Sequence, residues 1–426
     1  MTTQTSQRSR EAILDLAERY VCPNRVRTLT ALGVDLVIGR REGYRLWDVD
    51  GREYVDVHLN GGVFNLGHRN PELVDVLVDA LATLDIGNHH FPSAERALLA
   101  EALVGLTPGA HYAVFASGGG EAVDLALKSA RRATGRRRVV SVSGAYHGHT
   151  GLALAAGDER AAASFLSEGA PGEFVHVGYD DLAVLERELA TGDVAAVVLE
   201  TVPATVGFPV PAPDYLRGVR ALCDAAGALY VADEVQTGLG RTGSFWGFER
   251  ADVVPDVVVC GKGLSGGLYP IAATLLSERA GRWLEDDGWG HVSTFGGAEL
   301  GCRVARAVVD ITTRPSTTTR VAQLTDRFAA GLEAVAAAHP DRLVEVRQTG
   351  LVIGLRLAHP QGGLMMTGAL HGLGVWAMFA GFDPACLQVK PGLLLDDDTA
   401  DLVLDRIATA VAGLPAADDA TEVSAP

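Results

Sequence analysis

The 426-residue chain is poor in the features that would place it in a membrane, on nucleic acid or in an oxidising compartment. Its five cysteines (Cys22, Cys223, Cys260, Cys302 and Cys386) are scattered, odd in number and form neither a CxxC pair nor a metal-ligand spacing. A disulfide framework and a cysteine-based metal site are therefore not expected, and a reduced, cytoplasmic setting is the simplest reading. No uninterrupted apolar stretch reaches the roughly 18 residues of a membrane-spanning helix, so no span is expected. Met1 to Arg10 is polar and lacks the apolar core of a secretory signal. Basic residues are in the minority: the formal net charge is −17. An acidic surface repels nucleic acid and anionic lipid, which excludes both as general partners. The densest basic run, Arg136-Arg137-Arg138, precedes an apolar strand and reads as a solvated loop. There is no internal repeat.

What is present is the composition of an ordinary globular protein, 48% hydrophobic and 21% charged, with length for two domains or more. Residues 11–70 read as a helix followed by short strands, with Tyr44 to Asp56 a hairpin turning at Asp50-Gly51. Amphipathic helices are expected over 71–84, 93–105 and 121–134. Apolar runs then alternate with helices: Tyr112 to Phe115, Val139 to Val142, Phe174 to Val177, Ala195 to Leu199, Leu229 to Ala232, Val257 to Cys260 and Ile271 to Leu276. Such short runs without strict alternation fit strands buried on both faces. The alternation implies an α/β fold, a mainly parallel seven-stranded sheet covered by helices on both sides. Thr312 to Thr319 reads as a break. Helix 320–337, strands near 343–357 and 385–390, and helix 398–412 suggest a smaller α+β domain that packs with the N-terminal segment. The expected organisation is an N-terminal segment 1–70 (part of the small domain), a large domain 71–315 and a C-terminal small domain 316–426. The first ten residues and Pro415 to Pro426 are expected to fray.

Open parallel sheets bind ligands beyond the carboxyl ends of their strands, and the unusual polar residues recur there. Ala116-Ser-Gly118-Gly119-Gly120-Glu121 joins a strand to a helix; its glycines permit close approach, and free N–H groups at a helix start suit a phosphate. A tight turn with no ligand explains it equally well, and it is neither a P-loop nor a dinucleotide fingerprint, whose third small residue would fall on Val123. Asp233-Glu234 ends a strand. A buried carboxylate needs a partner, and a protonated ring nitrogen is one that would make the ring a better electron sink. Capping of the next helix is the plain alternative, and metal binding lacks a third ligand. Gly261-Lys262-Gly263 ends a strongly apolar strand 29 positions after Asp233. Burial there would lower the lysine pKa and free its amine as a nucleophile, against the alternative of a surface turn. In Gly144-Ala-Tyr146-His147-Gly148-His149-Thr150, Tyr146 is placed to stack on a flat ring; His-x-His without carboxylates is weak support for a metal, and His149 reads as packing. Ser293-Thr294-Phe295-Gly296-Gly297 reads as a helix start able to meet a phosphate or simply cap.

Taken together these residues resemble the class III pyridoxal-phosphate aminotransferases (ornithine/4-aminobutyrate type) of fold type I. The resemblance spans nearly the whole chain: Trp47 to Tyr54, Gly67 to Pro71, Ser117 to Ala122, Tyr146-His147-Gly148, Glu200, Asp233 to Gly243, Gly261-Lys262-Gly263 and Ser293 to Gly297. It implies that Lys262 is the Schiff-base lysine and proton shuttle and that Asp233 pairs with the pyridinium of pyridoxal 5'-phosphate. It further implies that Gly119 and Gly120 bind the phosphate, that Tyr146 stacks on the ring with His147 beside it, and that Val235 packs on the other face. Gln236 would bond the ring hydroxyl, Glu200 would stand at the active site, and Thr294 would reach the phosphate of the neighbouring subunit in a homodimer with shared sites. Three departures stand out. Glu200-Thr-Val-Pro-Ala204 replaces Glu-Pro-x-Gln-Gly, and Gly296-Gly297-Ala298-Glu299 replaces Gly-Gly-Asn-Pro. Gln388 falls where many members carry the Arg that clamps a substrate α-carboxylate. A neutral amide does not replace that bidentate pair; Lys390 would share its face only in a regular strand.

The resemblance implies amino transfer between an amine, diamine or ω-amino acid and a 2-oxo acid. The lost Arg keeps open another outcome on the same cofactor: epimerisation, phospho-lyase chemistry, β/γ-elimination or carbon–carbon bond formation. A nicotinamide dehydrogenase would need a fingerprint the chain lacks, and an inactive binding module would not need both Lys262 and Asp233.

Overall fold

Two N-terminal helices, Arg10–Tyr20 and Pro23–Ala31, open the described part of the chain. The computed structural model describes residues 8–415, so most of both termini expected to fray lies outside the described residues. The sequence reading had one helix here; Pro23, favoured at the first turn of a helix but not inside one, separates two. Strands β1 (Ile38–Glu42), β2 (Arg45–Asp48) and β3 (Glu53–Asp56) follow as an antiparallel meander. The expected hairpin is β2–β3, and Gly51 takes φ +89° in its turn.

The seven apolar runs then form β4 (Tyr112–Ala116), β5 (Arg138–Val142), β6 (Phe174–Val177), β7 (Val194–Glu200), β8 (Leu229–Asp233), β9 (Val257–Cys260) and β10 (Ala272–Leu276). They lie in one sheet in the order β4-β10-β9-β8-β7-β5-β6. Pairings from β6 through β9 are parallel; β10 alone runs against both neighbours. Every residue of β7, β8 and β9 is buried. Side chains alternate between two cores: Val197, Leu199, Tyr230 and Ala232 meet helix Tyr215–Ala226, while Ala196, Val198 and Val231 meet helix Gly119–Thr134. Each buried Val or Leu contributes about 1.5–3 kcal/mol.

Helices Glu299–Thr312 and Pro315–Ala338 lead to β11 (Leu343–Thr349), β12 (Val352–Leu357), β13 (Val375–Trp376), β14 (Met378–Ala380) and β15 (Asp383–Val389), and helix Asp397–Ala412 closes the described chain. The break expected over Thr312 to Thr319 shrinks to Thr313-Arg314, because Pro315 starts the second helix rather than ending the first. A third core unites Val55, Val57 and Leu66 with Phe328, Leu355 and Ile407, and β13 pairs with β3. The two ends of the chain are thereby joined beside the large sheet.

Candidate active site

Strand alternation sends the adjacent carboxylates Asp233 and Glu234 to opposite sides. Glu234 is 1% exposed and accepts from Thr201 Oγ1, Thr237 Oγ1 and the backbone N–H groups of Gly247 and Phe248. Both its oxygens are thus satisfied by neutral donors, and it serves packing around Phe248. Among the described residues no group of three His, Cys, Asp or Glu side chains is arranged to hold a metal. Glu234→Gln turns an amide NH2 toward one backbone N–H donor and one hydroxyl, and should lower unfolding free energy by about 1–3 kcal/mol in urea titration. An unchanged midpoint would refute this structural role.

Asp233 faces the other way, toward His147. His147 Nδ1 lies 2.7 Å from Asp233 Oδ2 and its Nε2 lies 3.3 Å from Ser141 Oγ. Burial opposes charge on this imidazole, yet the hydrogen bond and charge of Asp233 outweigh it and raise the His147 pKa. The remaining oxygen, Asp233 Oδ1, accepts from Val235 N at 3.0 Å.

Lys262 follows β9 in a short helical turn with φ +40°, a backbone strain rare outside glycine. Its Nζ donates to Gln236 Oε1 at 2.8 Å. Burial lowers its pKa, opposed by the charges of Glu200 and Asp233. The Leu59–Gly62 turn lies over it: Leu59, Asn60, Gly61 and Gly62 all have positive φ, and a Cβ on Gly61 would stand 3.3 Å from Lys262 Cε. Glu200, at the end of β7, accepts from Tyr146 N at 3.0 Å and Ala204 N at 3.3 Å. Its pKa is raised by burial and then by the charge of Asp233. Tyr146 is 42% exposed and meets His149 edge-on at 5.2 Å.

The Gly119-Gly120 turn starts the 16-residue helix Gly119–Thr134, whose first-turn N–H groups have no acceptor within the helix. A Cβ on Gly119 would lie 3.2 Å from Val235 Cγ1, and one on Gly120 2.8 Å from Thr150 Oγ1. Glycine is thus required for this close approach, and Val235 sits against the same turn. Thr294 is exposed on the segment before helix Glu299–Thr312. That segment does not itself open the helix as expected: Gly297 takes φ +67° and Ser293 Oγ accepts from Gly296 N, closing a turn first.

Gln388 and Lys390 share a face. Lys390 Nζ donates to Gln388 Oε1 at 2.5 Å, and Gln388 Nε2 donates to Ala204 O at 2.8 Å. Lys390 is fully buried, and burial holds its pKa well below the ordinary lysine value, helped by the charges of Lys262 and Arg241. Burial thus opposes charge on this amine. A lysine with a depressed folded-state pKa binds fewer protons folded than unfolded, so wild-type stability rises with pH until the unfolded lysine also loses its proton, near pH ~10.4. Lys390→Met lacks this dependence. Its stability relative to wild type should be greatest at low pH and fall as pH approaches ~10, read by urea unfolding at several pH values; a pH-independent difference would contradict it.

The sequence reading missed three residues at this site. His58 is half-buried, and desolvation and then the charges of Lys390 and Lys262 put its pKa well below normal. Trp376 meets His58 edge-on at 6.2 Å. Arg241 is fully buried and donates to Pro391 O and Asn65 Oδ1, tying three segments together. Arg241 lies within the Asp233 to Gly243 motif, although nothing there told its role; no local signal marks His58 or Trp376, which converge from segments some hundreds of residues apart.

A family model for aminotransferase class-III matches residues 30–411. The chain belongs to the class-III aminotransferases. An uncharacterised aminotransferase of Archaeoglobus fulgidus is 45% identical over 408 residues, covering 96% of this enzyme and 95% of the relative. The taurine:2-oxoglutarate aminotransferase of Bifidobacterium kashiwanohense, solved with PLP and glutamate, superposes with TM-score 0.87 at 26% identity over 95% of this chain and 98% of that one. The N-acetylornithine aminotransferase of Stenotrophomonas maltophilia gives 0.78 at 28% over 94% and 98%. The enzyme has fold type I and depends on pyridoxal phosphate, as its class does. The residues fit that group: Gln236 Nε2 is buried without a partner beside Lys262, a donor to spare for a ring oxygen, and the glycine turn is shaped for a phosphate.

Proposed function

We propose that the enzyme moves an amino group between an amine, diamine or ω-amino acid and a 2-oxo acid, with its chemistry at Lys262. The observation that carries this reading is the buried Lys262 amine, low in pKa, held 2.8 Å from Gln236 at the strand end next to Asp233. Pyridoxal phosphate, when bound, supplies an aldehyde that links to amines and an electron-poor ring that accepts charge from the adjacent carbon.

The chain's own residues divide the remaining work. Lys262 Nζ would hold the cofactor aldehyde, and once freed by the incoming amine would serve as the base that moves the substrate proton. Asp233, oriented by His147 Nδ1 at Oδ2 and by Val235 N at Oδ1, would keep a ring nitrogen protonated. Gly119 and Gly120 would offer N–H groups to a phosphate, Tyr146 and Val235 would flank the ring, and Gln236 would bond its hydroxyl. Glu200 stands on the Tyr146 side. Thr294 completes a phosphate site across a homodimer, and the protein works in the cytoplasm. Gln388 and Lys390 face the substrate side. Residues 71–315 form the cofactor domain, and 1–70 with 316–426 the smaller one.

The test is the absorption spectrum of the holoenzyme with a panel of amines and amino acids. Bleaching of the visible band by one donor class, with recovery on adding a 2-oxo acid, is expected. Turnover without any amino form of the cofactor would instead favour the second reading, which Gln388 in place of a carboxylate-clamping Arg motivates: epimerase, lyase or carbon–carbon bond-forming chemistry.

A further inference from the structure

The two N-terminal helices bury none of their residues fully, although each has an apolar side. Ile13, Leu14, Val26 and Leu29 from these sides, with Val37 and Trp376, line a cavity of about 340 Å³. Pockets of this size hold small ligands. Arg25 is the only charged residue in its lining, and no carboxylate pairs with it among the described residues.

The cavity adjoins the chemistry through one wall. Trp376, in that wall, meets His58 edge-on, and His58 leads into the Leu59–Gly62 turn lying against Lys262. A substrate whose nitrogen reaches Lys262 past His58 therefore has an apolar space ahead of it. We propose that this cavity is the distal subsite for the amine substrate and takes an uncharged, extended apolar chain. The proposal rests on the reading of Lys262 as the reacting residue, and it narrows the donor class. A second ammonium in this lining would find no carboxylate and meet the like charge of Arg25. Monoamines with apolar chains should thus be preferred to diamines of equal length.

The experiment uses the holoenzyme and O-alkylhydroxylamines from methyl to hexyl, which capture the cofactor aldehyde without requiring turnover. Loss of the visible band is followed by stopped flow. The second-order rate should rise about fourfold per methylene through the middle of the series, and the 6-aminohexyl compound should react at least about tenfold more slowly than the hexyl one. Leu29→Glu, on a peripheral helix, should flatten the series and narrow or reverse that preference; Ile13→Glu repeats the test from the other helix. A flat series in wild type, or equal rates for the hexyl and aminohexyl compounds, would overturn the assignment without recourse to any variant. Chain-length dependence in an enzyme that no amine converts to the amino form would sink transamination while leaving this subsite standing.

Discussion

Lys262→Ala is expected to lower amino transfer by about 10⁴-fold or more, because one atom, Nζ, is asked both to hold the cofactor and to carry the proton. The variant should still bind pyridoxal phosphate, since the glycine turn, Asp233 and Gln236 are untouched, but without the visible band of the linked form. Alanine also vacates space beneath the Gly61 turn, whose backbone packs against Lys262 Cε. Added methylamine or ethylamine should therefore restore part of the proton transfer, in proportion to the free-base concentration. Single-turnover absorbance with and without the added amine measures both effects. A variant within tenfold of wild type would remove Lys262 from the chemistry.

Asp233→Asn tests the other half of the reading. It preserves size and can still accept from Val235 N, yet it removes the charge that would keep a ring nitrogen protonated. The loss of one such preorganised electrostatic partner is expected to cost about 10²–10³-fold in the proton-abstraction step, with weaker cofactor retention on dialysis. The substitution also acts on His147, whose raised pKa arises because Asp233 outweighs burial. Without that charge, burial prevails and the His147 pKa should fall, so the imidazole loses its proton at lower pH than in wild type. Imidazole resonances followed against pH read this shift. Unchanged chemistry with a lowered His147 pKa would mean that the aspartate organises the histidine and nothing more.

The two adjacent carboxylates show where a linear reading stops. Asp233-Glu234 stood out in the sequence as a strand end that required an explanation, and both residues were candidates for pairing with a cation. Their separate environments follow from the two-residue period of a strand: Asp233 points to the side of Val231 and helix Gly119–Thr134, Glu234 to the side of Phe248. Of the donors that satisfy Glu234 only Thr237 is local; the others come from β7's exit and from residues 247–248, and no feature near position 234 announces those. Gln388 and Lys390 make the same point. A sequence places them two apart; only the folded strand puts the amine on the amide and both in a dry interior that lowers the amine's pKa.

By itself the sequence determined the seven strands of the large sheet, the glycine turn, the strand-end lysine and aspartate, and the family, because each is encoded in local runs: apolar stretches, turn residues and contiguous motifs. Tertiary structure alone decided which side chains share an environment. The turn over Lys262, the His58–Trp376 contact, the buried Arg241 and the cavity beneath the N-terminal helices all join segments far apart in the chain. Burial, charge and pKa are properties of such neighbourhoods, set by packing in three dimensions and not by any residue's place in the sequence.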